Sequence, residues 1–115
     1  MHPTIIKINS HQLIKNLIAI RAQIGSKSKL CLPVKANGYG HGLIEVATSA
    51  EKYVDYFAVS CLEEGKELIH HSICKPILVF GTFENEQIPE LVANNLEVTI
   101  ASLEKAEQLS KFCTQ

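Results

Sequence analysis

The chain has 115 residues, 46% of them hydrophobic and 20% charged, with a net charge of −1. That is the balance of an ordinary globular protein with one core, too short for two domains. It excludes a basic nucleic-acid face and a polybasic lipid-binding cluster, and no apolar run reaches the roughly 18 residues of a membrane-crossing helix.

Met1-His2-Pro3-Thr4 carries no signal-peptide pattern, so a cytoplasmic location is expected. Thr4-Ile5-Ile6-Lys7-Ile8 is β-branched and apolar, and predicts a strand. Asn9 or Ser10 can cap a helix whose apolar positions Leu13, Ile14, Leu17, Ile18, Ala22 and Ile24 recur near the 3.6 period, with Gly25 as its stop. A polar link, Ser26-Lys27-Ser28-Lys29, leads to the short apolar run Leu30-Cys31-Leu32-Pro33-Val34, the pattern of a strand buried on both faces.

Lys35 stands at the carboxyl end of that strand, where α/β folds place their chemistry. A lysine held against an apolar strand loses its proton more easily than one in water, which makes Lys35 a candidate amine nucleophile for an aldehyde cofactor. On spacing alone a lone lysine after a strand is usually a solvated surface residue. The loop that follows, Gly38-Tyr39-Gly40-His41-Gly42, has three glycines in five residues. Its spacing is neither that of a dinucleotide fingerprint nor that of a P-loop.

Further on, Leu43, Ile44, Ala47, Ala50 and Tyr53 share a helical face, and Tyr56-Phe57-Ala58-Val59 reads as the next strand. Ser60 followed by Glu63 matches a capping box opening a helix that runs to about His70. Pro76-Ile77-Leu78-Val79-Phe80 is a third strand, and a helix from near Glu84 to Asn94 precedes a fourth, Leu96-Glu97-Val98-Thr99-Ile100. Ser102 can cap a last helix with Leu103, Ala106 and Leu109 along one side. From Leu30 onward a strand begins roughly every 20–26 residues with a helical pattern between, the period of repeated βα units.

Cys31, Cys61, Cys74 and Cys113 show no C-x-x-C pairing, which argues against a zinc site or a disulfide framework. Cys31 and Cys61 lie in or beside strands, where cysteine acts as a small hydrophobe. Glu63-Glu64 suits the amino end of a helix. His70-His71 are adjacent on a helix end and point apart, so no metal pair is expected, and His2 and His11 carry no pattern.

Val34-Lys35-Ala36-Asn37-Gly38-Tyr39-Gly40-His41-Gly42 resembles the cofactor-binding signature of the alanine racemase family, V-K-A-N-A-Y-G-H-G, with Gly38 in place of Ala as the one departure. That change is expected to loosen the loop without removing chemistry. The likeness continues through Phe57-Ala58-Val59, Leu62-Glu63-Glu64, Pro76-Ile77-Leu78-Val79 and Phe80-Gly81, and so spans essentially the whole chain. It implies a pyridoxal 5′-phosphate (PLP) enzyme that interconverts L- and D-alanine for bacterial wall synthesis. By the same resemblance Lys35 carries the cofactor as a Schiff base and acts as base on one face of the substrate carbon. Tyr39 holds the cofactor phosphate, Phe80 lines the pocket, and His41 braces the loop. The base for the opposite face is, in that family, a tyrosine of the carboxyl-terminal domain of the other subunit of a dimer. Tyr53 and Tyr56 read as packing residues and do not fill that role.

The resemblance also resolves the fold. It implies α/β architecture, a partial (β/α)8 TIM-type barrel of about four parallel barrel strands alternating with helices, preceded by an N-terminal strand and helix. A barrel has eight strands. Residues 1–115 are therefore expected to be the amino-terminal portion of the PLP-binding barrel domain, with the rest of the barrel and the family's β-rich domain absent. The full-length protein is expected to be a homodimer acting on alanine, with no nucleic-acid or membrane partner, and the chain alone is expected to be inactive and to self-associate. The alternatives are a non-catalytic racemase fragment or weak PLP binder, a related PLP-barrel protein, and a broad-specificity amino-acid racemase.

Overall fold

The fold follows from four parallel strands, each delivered to the sheet by a returning helix. The computed structural model describes residues 3–114, so His2 lies outside the described residues. Helix α1 (Ser10–Ile24) starts where Asn9 accepts a hydrogen bond from the Gln12 N–H at 2.9 Å, and it ends at Gly25 with φ of 78°. Both caps agree with the sequence pattern. Strand β1 (Cys31–Pro33) leads into α2 (Lys35–Tyr39), a single turn. After the glycine loop come α3 (Leu43–Ala50), a 3-10 turn (Glu51–Tyr53) and β2 (Tyr56–Val59). The remaining elements are α4 (Leu62–His70), β3 (Ile77–Val79), a 3-10 turn (Asn85–Gln87) running into α5 (Ile88–Ala93), β4 (Glu97–Val98), and α6 (Leu103–Cys113).

The sheet order is β1-β2-β3-β4, all parallel, with Leu32 beside Phe57, Ala58 beside Leu78, and Val79 beside Val98. Sequential neighbours joined by helical crossovers are the construction of a (β/α)8 barrel, of which this is four strands. Central β2 buries Phe57, Ala58 and Val59 completely. Around it pack Leu43, Ala47 and Ala50 of α3, Leu62 and Leu68 of α4, and Ile88 and Leu91 of α5. Burying each such large apolar side chain contributes about 1.5–3 kcal/mol, so this layer holds the strand ends, and the site on them, in place.

Several expectations are corrected. Thr4–Ile8 forms no strand: it pairs with none among the described residues, and Ile5, Ile6 and Ile8 stay exposed. High β-propensity expresses fit to a pleated surface, and here the segment makes no ladder with β1, the sheet edge with which it shares a cleft. Strand β1 is not buried on both faces. It is an edge of the sheet, with Cys31 exposed and Leu32 and Pro33 half-buried, so Cys31 is not a core hydrophobe. Of the apolar face of α1 only Leu17 is fully buried, and Ile18 and Ile24 are exposed, because the helix packs mainly on α3 alone. Leu103 is likewise 75% exposed at the start of α6, while Ala106 and Leu109 are half-buried. Finally, Ser60 bonds to Glu64 rather than Glu63, and the residue preceding α4 is Cys61.

Candidate active site

The site grows from the way the chain leaves β1. The Val34 N–H donates to the Ala58 carbonyl at 2.8 Å, the last ladder bond before the chain turns away from the sheet. The next turn then winds left-handed. Ala36, Asn37, Gly38 and Tyr39 have φ of 53°, 55°, 65° and 56° in succession. Such backbone costs a residue with a Cβ about 1–2 kcal/mol, so the surroundings must hold it. Gly38 alone adopts it freely, and a Cβ there would come within 3.3 Å of the Val46 Cγ2. The departure from the family's alanine therefore falls where glycine relieves strain.

Three sets of bonds tie the loop. The Gly38 N–H reaches back to the Val34 carbonyl at 2.8 Å, and the Gly42 N–H to the Asn37 carbonyl at 2.8 Å. The Asn37 side-chain oxygen accepts from the Leu43 N–H at 3.0 Å, fixing the start of α3. The His41 Nδ1 lies 3.1 Å from the Gly38 carbonyl, the loop-bracing position expected for it.

Lys35 is half-buried at the end of β1, and its Nζ lies 5.8 Å from the centre of the Phe80 ring. Phe80 follows β3, and its N–H donates to the Val59 carbonyl at 2.8 Å, which sets the ring beside the end of β2. The next residue must be glycine, since a Cβ on Gly81 would sit 2.2 Å from the Ser60 carbonyl oxygen. Lys35 and Phe80, separated by 45 positions in sequence, are thus brought together at the carboxyl end of the sheet. Phe80 remains 42% exposed there, an aromatic face open toward the amine.

Tyr39 is 57% exposed and lines a cleft of about 640 Å³ on the other side of the turn, with Leu32, Pro33, Gly38, His41 and the segment before α1. The other two tyrosines are engaged elsewhere. The Tyr56 hydroxyl donates to Glu97 at 2.9 Å, bridging β2 and β4, and that hydrogen bond, with burial, pushes its phenol pKa up. Tyr53 packs against the core.

Two acidic residues support the site: Glu64, which the sequence marks only as favouring the amino end of its helix, and Asp55, which it does not mark. Glu64, in the first turn of α4, accepts from the Ser60 N–H at 2.7 Å and from the Ser60 hydroxyl. Burial by itself would raise its carboxyl pKa, but the Ser60 donors, with the backbone N–H groups of Asn37 and Ala36 facing it, outweigh burial and hold it below the usual value. At the opposite end of the strands, Asp55 accepts from Arg21 at 2.6 Å and from the Leu30 N–H at 2.7 Å. The Ser60–Glu64 pairing is local, one residue beyond the capping-box spacing, whereas the only sequence signal for the Asp55 pairing is its charge, since Arg21 and Leu30 lie in another unit.

A parallel βα sheet that presents a lysine amine on a left-handed glycine turn, beside an aromatic wall at the carboxyl ends of its strands, defines part of a lysine-bearing βα barrel. The chain belongs to the alanine racemase family: residues 8–115 match its model, described as "Alanine racemase, N-terminal domain". It is 43% identical over 110 residues to an alanine racemase of Haemophilus influenzae, covering 95% of this chain and 30% of that one. Against an alanine racemase of Streptococcus uberis it is 37% identical, covering 96% of this chain and 30% of the relative. The solved alanine racemase of Clostridium difficile 630 superposes with a TM-score of 0.85 at 36% identity, over 90% of this chain and 28% of that one. That of Acinetobacter baumannii gives 0.84 at 30% identity, over 93% and 32%. The chain thus spans about 30% of the length of the curated relatives it matches. Among the described residues no helix is long and apolar enough to cross a membrane.

Proposed function

We propose that residues 1–115 are the amino-terminal portion of the barrel domain of a PLP-dependent alanine racemase, with Lys35 as its cofactor-bearing lysine. The observation that carries this is the Lys35 amine at the end of β1, 5.8 Å from the Phe80 ring centre, inside the matched family segment. The residues present fit the cofactor. A half-buried primary amine suits an aldehyde and an aromatic face suits a planar ring. The phosphate role of Tyr39, whose cleft holds neither Lys35 nor Phe80, is supported by the family signature. Bound PLP would supply a conjugated ring that accepts the electrons left when the α-proton is removed.

The roles of this chain's own residues follow. The Lys35 amine holds the cofactor until an amino acid takes its place, and is then free to take or return a proton at the substrate α-carbon from one face. Phe80 limits water on its side of the amine, and the Tyr39 hydroxyl donates to the phosphate. Inversion needs a second acid/base on the opposite face. Tyr53 and Tyr56 are committed to packing and to Glu97, so that group comes from outside the chain, as would be met by a homodimer of the full-length protein. Two solved relatives are described as holding ligands, cycloserine in the Clostridium difficile enzyme and L-Ala-P in that of Bacillus anthracis, which supports alanine-sized substrates here.

The test is borohydride reduction of the longer polypeptide, read on past residue 115, after PLP is added, followed by peptide mapping and an L- to D-alanine assay. The adduct is expected on Lys35, with activity lost in Lys35→Ala. A stable adduct on another lysine with Lys35 unmodified would reject the assignment.

A further inference from the structure

The amino ends of the strands carry a charged cluster that the chemistry at Lys35 does not use. There Arg21, in the last turn of α1, and Lys52, in the 3-10 turn after α3, line a cavity of about 240 Å³ together with Lys75, which leads into β3. Its floor is apolar, with Leu17 and Val54 both buried. The one carboxylate in the lining is Asp55, and it is taken by Arg21 at 2.6 Å. Neither Lys52 nor Lys75 makes an ion pair among the described residues. Glu51, the acid next to Lys52 in sequence, turns its carboxylate to the backbone N–H groups of Cys74 at 2.7 Å and Lys75 at 3.3 Å. The cavity thus gathers three cations against one carboxylate, in a chain whose net charge is −1.

We propose that this cavity is an anion site, taking a phosphate group between the Lys52 and Lys75 amines beside the Arg21 guanidinium. Lys75 is half-buried, and a cation partly withdrawn from water with no carboxylate to meet it favours a bound counter-ion. Arg21 uses only part of its donor fork on Asp55 and on the Ser28 carbonyl at 2.9 Å, and such a fork matches the oxygens of phosphate. Two uncompensated lysines match the roughly −1.5 to −2 charge of a phosphate group at neutral pH. Size selects as well. Pockets for drug-sized ligands run from about 300 to 1,000 Å³, and this one lies below that range, so it suits inorganic phosphate or the phosphate end of a small ester. A bound anion there joins α1, the 3-10 turn and the entry to β3 at the end of the sheet away from Lys35, independently of the cofactor.

The test is titration of the longer polypeptide with inorganic phosphate, and separately with glycerol phosphate, at an ionic strength held constant with potassium chloride. Amide hydrogen exchange is read at Leu30 and Asp55, which bond to each other at this corner, and at Gly38 and Gly42 in the turn after Lys35. Leu30 and Asp55 are expected to slow saturably, about twofold when phosphate equals its dissociation constant and about elevenfold at ten times that value. Lys52→Gln and Lys75→Gln should each weaken binding roughly 1.5- to 5-fold, and the double variant further. Arg21 is left in place because its loss would by itself open the Asp55 corner. Tighter binding of the ester would assign the apolar floor to the ester's body, whereas equal or weaker binding would assign the site to the free ion. No saturable slowing with either probe would overturn the proposal. So would slowing shared by amides throughout the chain, which phosphate produces through its exclusion from protein surfaces. Slowing that the double variant leaves unchanged would overturn it as well, and slowing confined to Gly38 and Gly42 would place the phosphate at the turn instead. If the double variant does not fold, the two single variants are judged by the same criteria.

Discussion

Gly38 shows how a single residue sets the character of the site. It occupies the third left-handed position of the turn, with φ of 65° and the Val46 side chain 3.3 Å from where a Cβ would be. Restoring the family's alanine adds about 1–2 kcal/mol of backbone strain but removes about 0.4–1 kcal/mol of unfolded-chain entropy. Gly38→Ala is therefore expected to destabilise by roughly 1 kcal/mol or less, read as a small fall in the urea midpoint of the longer polypeptide. A rise in midpoint would mean that the turn is not held left-handed. Tyr39, one residue on, is more than half exposed, so its contribution lies in what it binds rather than in packing. Tyr39→Phe should weaken PLP retention by about 0.5–1.5 kcal/mol, or up to roughly 3 if the acceptor is charged, and leave attachment to Lys35 intact. Equal PLP affinity in the two proteins would remove the phosphate role.

At the scale of elements, carboxylates act at both ends of the strands. At the carboxyl ends Glu64 holds Ser60, which follows β2. At the amino ends Asp55, just before β2, joins the Arg21 guanidinium of α1 to the Leu30 N–H just before β1, while Arg21 also donates to the Ser28 carbonyl at 2.9 Å. The Arg21 hydrogen bond, then that from Leu30, lowers the Asp55 pKa, with Lys75 the other cation acting on it. A lowered carboxyl pKa contributes stability that is present above the ordinary carboxylate range and is lost as pH falls through the lowered value. Protection of the Leu30 amide from exchange should therefore decline on acidification below that range, and Asp55→Asn should show the loss already at neutral pH. Protection in Asp55→Asn equal to that of the unaltered protein at neutral pH would mean that the carboxylate does not order this corner.

Taken whole, the molecule is an open plate. Its radius of gyration is 16.3 Å and its extents are 52 × 45 × 24 Å, against about 13 Å of radius for a compact domain of this length. Strands β1 and β4 are both free edges, and Ile100 and Leu103 near one of them are exposed, as are Ile5 and Ile6 before α1. Unpaired edges flanked by apolar surface favour association with another copy. Sedimentation of residues 1–115 alone is expected to show concentration-dependent self-association, and a coupled D-alanine assay on the same sample should show no significant racemase activity. Loss of one acid/base group alone typically costs about 10²–10⁴ in rate. A well-behaved monomer racemising alanine at rates near those of a full-length relative would mean that the chain is not missing what its sequence indicates.

The sequence by itself determined whatever depends on neighbouring residues. Asn9 and Ser102 cap their helices as read, Gly25 ends α1, and Tyr56–Val59 is a strand to the residue, because capping, turn conformation and apolar runs are local physics. Lys35 at a strand end was legible for the same reason, and the nine-residue signature marked the family. Only the tertiary structure decided which apolar residues find a partner. Ile18 and Leu103 share a periodicity with buried or half-buried neighbours, yet stay exposed themselves, and β1 proved to be an edge because burial belongs to the sheet order and not to the strand. The choice of Glu64 over Glu63 is decided by the turn into α4 within four residues. The pairing of Asp55 with Arg21 and the approach of Phe80 to Lys35 depend on how far a crossover carries one strand end past the next, a distance fixed by packing across the sheet that no short stretch of sequence contains.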